Sequence, residues 1–264
     1  MQKFTYPEAS AGPSISLWKT CPVGDFLLYP QQGRYFMDHF TKGTGQDVAA
    51  AQSLSQFDGW DRYTGATGGS VISDAAERDG VVTLESTTDN EGAAMRRVSE
   101  FKIDQGEGKF WFEARIRALN ITDAKFGFFL GLVEAGAVAA TLPLTTSDAL
   151  SDNNMVGFLK NAADGDQVDT VYKANGVTAV TVAEDAATLA AATFIKLGMY
   201  FDGVVLRFFA DGVELADTKT IPAADGTDFP NDVNMGIVFA LMLAHGDTGS
   251  VAIDWVRAAQ ERTA

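Results

Sequence analysis

Cysteine is almost missing from this chain: Cys21 is the only one in 264 residues. A lone thiol excludes an intrachain disulfide, and with it the small secreted scaffolds that use bridges in place of a core. Histidine is nearly as scarce, with only His39 and His245. Together with Cys21 they show no zinc-site spacing, and a Ser/His/Asp triad lacks its GxSxG elbow. Positive charge is thin as well: 20 Lys and Arg against 35 Asp and Glu leave a formal net charge of −15, and no basic cluster exceeds Arg96–Arg97. The electrostatic footprint needed for nucleic acid or an anionic membrane is therefore absent. No apolar run reaches the roughly 18 residues of a membrane span. The longest, MGIVFALMLAH at 235–245, has strand length and reads as buried sheet. The first thirty residues hold prolines and no continuous apolar segment, so a cleaved export signal is not expected.

What is present is apolar and aromatic. Hydrophobic residues make up 46% of the chain, enough to fill a sizeable core. Residues 1–36 combine Pro7, Pro13, Pro22 and Pro30 with large side chains and keep neither the helical nor the strand period. They read as an extended N-terminal arm that packs across its own domain or on a neighbour. Disordered tails are depleted in aromatics, so Phe4, Tyr6, Trp18, Phe26, Leu27 and Tyr29 are assigned as interface anchors. From residue 37 to 264 the texture is short alternating runs broken by Gly, Asp and Asn, which predicts an all-β domain. FIKLGMYF, VVLRFFA and VELADTK, separated by Asp202-Gly203 and Asp211-Gly212, predict a three-stranded meander with type I′ turns. Two Ala-rich pieces, 47–57 and 183–194, have room for a helical turn or two.

KFWFEARIR at 109–117 alternates cleanly. Phe110, Phe112, Ala114 and Ile116 share one face; Trp111, Glu113, Arg115 and Arg117 share the other. In the next run, Phe126, Phe128, Leu130 and Leu132 alternate with Gly127, Phe129, Gly131 and Val133, so both faces are apolar or small. Such a strand lies centrally in a sheet whose second face is also covered or lines a groove. The predicted core includes Phe110, Phe112, Ile116, Phe126, Phe128, Leu206, Phe208 and Trp255.

FEARIR followed by FGFFLGL resembles the paired strands of concanavalin A-like jelly-roll domains, in particular family 16 glycoside hydrolases. LRFFADGVEL at 206–215 and VAIDWVRAAQ at 251–260 are similar to the family's later hairpin and closing strand, in the family's order. The resemblance implies a concanavalin A-like jelly-roll β-sandwich. It would also imply an ExDxxE strand, because a nucleophile and an acid/base must flank the glycosidic bond. That motif is missing. MVGFLK at 155–160 and DTVYKA at 169–174 carry no carboxylate pair at period-two spacing, and Glu134 is followed by AGAVAA. The chain is thus expected not to be an enzyme, with Glu113 and Glu134 free of any catalytic role.

DGDQVD at 164–169 and SDNN at 151–154 resemble fragments of calcium loops, and jelly-roll domains of this class often hold a structural calcium. No other cofactor is expected. Trp60, Trp111, Phe129 and Trp255 are candidates for a sugar-stacking groove, although half-buried sheet aromatics more often pack. The aromatic arm, the acidic Gly/Ala-rich body and the missing disulfides together resemble bacteriophage head decoration or cement proteins. The expected function is a non-enzymatic virion structural protein on the capsid exterior, a homotrimer binding the major capsid protein and itself. The alternative is a carbohydrate-binding module or degenerate glycosidase that recognises a cell-surface glycan.

Overall fold

A computed structural model of the chain describes residues 11–40, 48–49, 55–57, 59–74, 80–98, 100–121, 125–139, 142–146, 149–224, 228–244 and 248–263. The arm contributes α1 (Ile15–Trp18) and α2 (Val23–Leu28). Strands follow as β1 (Gly33–Asp38), β2 (Val48–Ala49), β3 (Ser55–Phe57), β4 (Trp60–Thr64), β5 (Gly69–Asp74), β6 (Val81–Ser86) and β7 (Gly92–Arg97). Next come β8 (Phe110–Ala118), β9 (Phe126–Glu134), β10 (Leu144–Thr146), β11 (Ala149–Leu150), β12 (Met155–Lys160), a 3₁₀ turn (Ala162–Asp164) and β13 (Gln167–Lys173). The chain ends through β14 (Val180–Thr188), β15 (Ile195–Phe201), β16 (Val205–Ala210), β17 (Val213–Thr220), β18 (Met235–Leu243) and β19 (Gly249–Glu261).

These strands form two large antiparallel sheets. The first runs β17-β16-β15-β8-β19-β6-β5-β2, with β1 also paired to β19; the second runs β14-β13-β12-β9-β18-β7-β4-β3. The alternation read from the sequence sets what lies between them. Phe110, Phe112, Ala114 and Ile116 of β8 and Phe126, Phe128, Leu130 and Leu132 of β9 all join one core cluster. Phe158 of β12 meets Phe208 of β16 edge-on with centroids 5.7 Å apart, tying one sheet to the other. The chain is a concanavalin A-like jelly-roll sandwich, as its strand pattern implied.

Several local readings differ from the structure. The Asp211-Gly212 turn has φ of 47° and 79°, as a type I′ turn requires. Asp202-Gly203 instead belongs to a longer turn, because Asp202 Oδ1 accepts from the backbone N–H groups of Val204 and Val205 at 2.9 and 2.8 Å. The Ala-rich piece that begins at 183 is not helical; through Thr188 it lies within β14, where pairing with β13 outweighs the helix preference of alanine. Of the other Ala-rich piece only Val48–Ala49 and Ser55–Phe57 fall among the described residues, and both are strand.

Trp255 is buried but not in the inter-sheet core. A register shift between Ile253 and Trp255 puts Ile253 and Val256 inward, opposite Ile116 and Ala114, and turns Trp255 to the outer face opposite Arg115. A bulge resets the period-two alternation.

The arm is a strap rather than an extended chain. It carries two short helices over the outer face of the first sheet, and β1 crosses the expected boundary at residue 37 to join that sheet. Leu17 sits over Gly198, where a Cβ would lie 2.5 Å from Leu17 Cδ1, so the missing side chain makes the seat. Leu17 and Phe26 pack with Trp111, Phe209 and Ala259, with Trp18 and Tyr200 beside them. The Trp255 indole N–H donates to Ala11 O at 2.7 Å, and that of Trp111 to Thr20 Oγ1 at 3.4 Å.

Candidate functional site

The second sheet's outer face lies away from the inter-sheet core. On β12 this face carries Met155, Gly157 and Leu159, since Val156 and Phe158 point into the core. Met155 and Leu159 join Phe129 and Val133 of β9 and Val238, Ala240 and Met242 of β18 in a second apolar cluster. Ala137, Val138, Leu142, Leu144 and Leu150, from the β9–β12 connection that includes the β10–β11 hairpin, lie against them. The covering expected for the second face of β9 is thus supplied by the chain itself, and Phe129 is packing rather than a sugar platform.

Acidic groups gather at the flank of this face. The three residues of β14 from Glu184 to Ala186 lie opposite the single Asp169 of β13, because the register shifts on both sides of Thr170. Asp185 is held with φ of 51°, and its N–H donates to Asp169 Oδ1 at 3.0 Å. Asp164 arrives from the 3₁₀ turn. Among the described residues these three form a group in which one carboxylate oxygen from each lies within 4.8 Å of the others. Burial raises the pKa of Asp169, and its neighbours Asp164, Asp185 and Glu184 raise it further, against the Asp185 N–H that lowers it. Its carboxyl is therefore biased toward holding a proton next to carboxylates. Hard oxygen donors of this kind suit calcium, and the DGDQVD fragment supplies two of the three. The signal for Asp185 was not readable in sequence, because a bulge brings it in.

SDNN has a different role from a calcium loop. Asp152 Oδ1 accepts from Gly176 N at 2.7 Å and from Lys173 Nζ at 3.0 Å, which holds its carboxyl below the ordinary aspartate range. Asn154 donates through its Nδ2 to Glu134 Oε2 at 2.7 Å and accepts at its Oδ1 from Asn175 N at 3.0 Å. The motif clamps the β13–β14 turn, and Glu134 is one of its anchors.

The remaining sequence candidates scatter. Glu113 is 1% exposed beneath the strap. It accepts from Ser14 N at 3.0 Å and from Trp18 Nε1 at 2.8 Å. Trp18 and Phe26 face this same sheet, while Leu27 and Tyr29 remain exposed. Phe4, Tyr6 and His245 lie outside the described residues. His39 is exposed, and Trp60 packs against Phe36, Phe40 and Phe239 in the core. The Cys21 thiol is pushed up to about 12, by burial first and by Glu261 second, which disfavours its thiolate form.

Fold and faces together define a jelly-roll sandwich whose outer faces are each covered in part by its own chain, with an acidic flank on the second sheet. No protein-family model and no curated protein sequence matches the chain. Solved structures do. A family 16 endo-glucanase from Bacteroides ovatus is 15% identical, with 84% of this chain and 98% of that one covered at a TM-score of 0.54. A protein of unknown function from Shewanella oneidensis is 14% identical over 88% of each chain, at 0.53. A glycosyl hydrolase family protein from Mycobacterium fortuitum is 16% identical over 84% and 98%, at 0.50. At these identities the likeness is one of fold. It nevertheless corrects the expectation that the chain is not an enzyme, which rested on one absent motif, because β-glucanases share this fold.

Proposed function

We propose that the protein is a carbohydrate-active domain that engages a glucan-type polysaccharide. The observation that carries this reading is the sandwich it shares, over 84% of its length, with family 16 endo-glucanases solved with oligosaccharide ligands. The acids available on the second sheet's flank are Asp164, Asp169 and Asp185, since the outward face of β12 has none. A carboxyl biased toward its protonated form beside carboxylates is the pairing that glycoside cleavage uses. In this reading Asp169 serves as the proton donor. Calcium at the same carboxylates is the competing use of these atoms, and cannot coexist with acid catalysis there.

Of the arm anchors assigned to a docking role, Trp18 and Phe26 pack on the chain's own first sheet, while Leu27 and Tyr29 stay exposed.

The test is affinity gel electrophoresis on mixed-linkage β-glucan and laminarin, with reducing-end release measured in parallel for wild type and Asp169→Asn. Retardation by a glucan is expected, and any release should disappear in Asp169→Asn. Unretarded migration on every glucan with no release would overturn the proposal.

A further inference from the structure

The segments just before β12, just after β13 and just before β18 surround an open cavity of about 400 Å³, lined by residues that include Asn154, Asn175, Val177, Pro230, Asp232 and Val233. We propose that this cavity is a glycan-binding subsite for a single pyranose ring or chain end, separate from the acidic flank. The inference rests on the carbohydrate reading above and names where the ligand is held.

Three features point to a sugar. The first is uncommitted polarity. Asn154 is used up in bonds to Glu134 and to the Asn175 backbone. The Asn175 side-chain amide and the Asp232 carboxylate, in contrast, have no hydrogen-bond partner among the described residues, and both are exposed at the cavity. Together they offer a donor and several acceptors, the set that adjacent hydroxyl groups satisfy.

The second is the apolar side. Val177, Pro230 and Val233 line the same space, so the cavity has a polar rim and an apolar wall. A pyranose ring has hydroxyls around its edge and C–H groups on its faces. An anionic ligand would meet the charge of Asp232, and a divalent cation would find only that one carboxylate, too few hard ligands to hold it.

The third is rigidity. The Asn175 turn is clamped at its own N–H by Asn154 and at the next residue by Asp152. The loop before Asp232 is fixed by Asn231, which is 0% exposed and donates to Pro222 O at 3.2 Å and Ala224 O at 3.0 Å. Groups fixed before the ligand arrives spare the entropy of ordering them on binding.

Isothermal titration of the full chain with laminari- and cello-oligosaccharides, for wild type, Asn175→Ala and Asp232→Asn, tests this. Loss of one bond to a charged or amide partner should weaken binding about tenfold or more in both variants. Both residues are exposed, so their thermal midpoints should match wild type. Wild-type affinity in both cavity variants would overturn this site while leaving the glucan reading intact. If wild type binds none of the short sugars but is still retarded by a glucan, the cavity assignment again fails. No glycan binding in either assay would remove both.

Discussion

The Trp18 indole donates to the buried carboxylate of Glu113 at 2.8 Å, and Ser14 N donates to that same carboxylate at 3.0 Å. One charge on β8 therefore orders two points of the N-terminal strap. A glutamine can keep its oxygen in the place of Oε2, where both of these bonds end, but it then sets its amide N–H group against Ser14 N, which also donates to Oε1 at 3.3 Å. Glu113→Gln should destabilise the protein by about 1–3 kcal/mol, the usual cost of a buried polar group left unpaired. Urea denaturation measures it; an unshifted midpoint would show that the strap does not depend on this anchor.

Removing residues 11–32 goes further. It would uncover Trp111 and Phe209, which are 0% and 5% exposed with the strap in place. The truncated chain should aggregate or bind a hydrophobic dye. A soluble monomer that binds no dye would return the arm to the role of a docking segment.

Phe128 is 1% exposed in the inter-sheet cluster. Phe128→Ala removes a full aromatic side chain from a packed layer and should cost about 3–5 kcal/mol. A measured loss below about 1 kcal/mol would move the residue to the surface and contradict the register of β9.

Asp169 predicts a pH dependence with a definite sign. Its folded pKa lies above the ordinary 3.8, so the folded state binds the proton more tightly than the unfolded one. The group's contribution is fully present below 3.8 and is lost as pH rises through the raised value. Thermal midpoints of wild type should carry this decline, and those of Asp169→Asn should lack it. If calcium occupies the cluster, millimolar calcium at neutral pH should raise the wild-type midpoint and leave the variant unmoved.

Asp152 has the opposite sign. Its pKa is lowered from 3.8, first by the Gly176 N–H and then by Lys173, so its clamp is intact above 3.8 and loosens only as pH falls through the depressed value. Hydrogen exchange in the 174–177 turn should stay protected from neutral pH down to mild acid. Asp152→Ala should lose that protection at every pH and weaken sugar binding, although Asp152 does not line the cavity.

Much of the fold was readable because its signals are local. The alternation of Phe110, Phe112 and Ile116 depends only on the geometry of one strand, and so it named the core face correctly. The two apolar faces of β9 announced a central strand whose second face is covered or lines a groove, and the packing shows that it is covered. The site was less readable. DGDQVD and SDNN both drew attention as oxygen-rich segments, yet one meets a third carboxylate and the other clamps a turn, and nothing in their composition separates those outcomes.

Trp255 shows the limit most plainly: by its spacing from Val251 and Ile253 it belongs to the core, and a single bulge carries it to the other face. Asp185 meets Asp169 through another register shift, Thr188 and its Ala-rich neighbours become strand because β13 is there to pair with, and the strap finds its seat on Gly198. The sequence by itself determined which side chains alternate, where one type I′ turn closes, and that MVGFLK and DTVYKA carry no carboxylate pair at period-two spacing. Only the tertiary structure decided which faces are covered, and by which segment. Alternation is a property of neighbours along one chain, whereas register, bulges and covering depend on free-energy differences between pairings of residues tens to hundreds of positions apart.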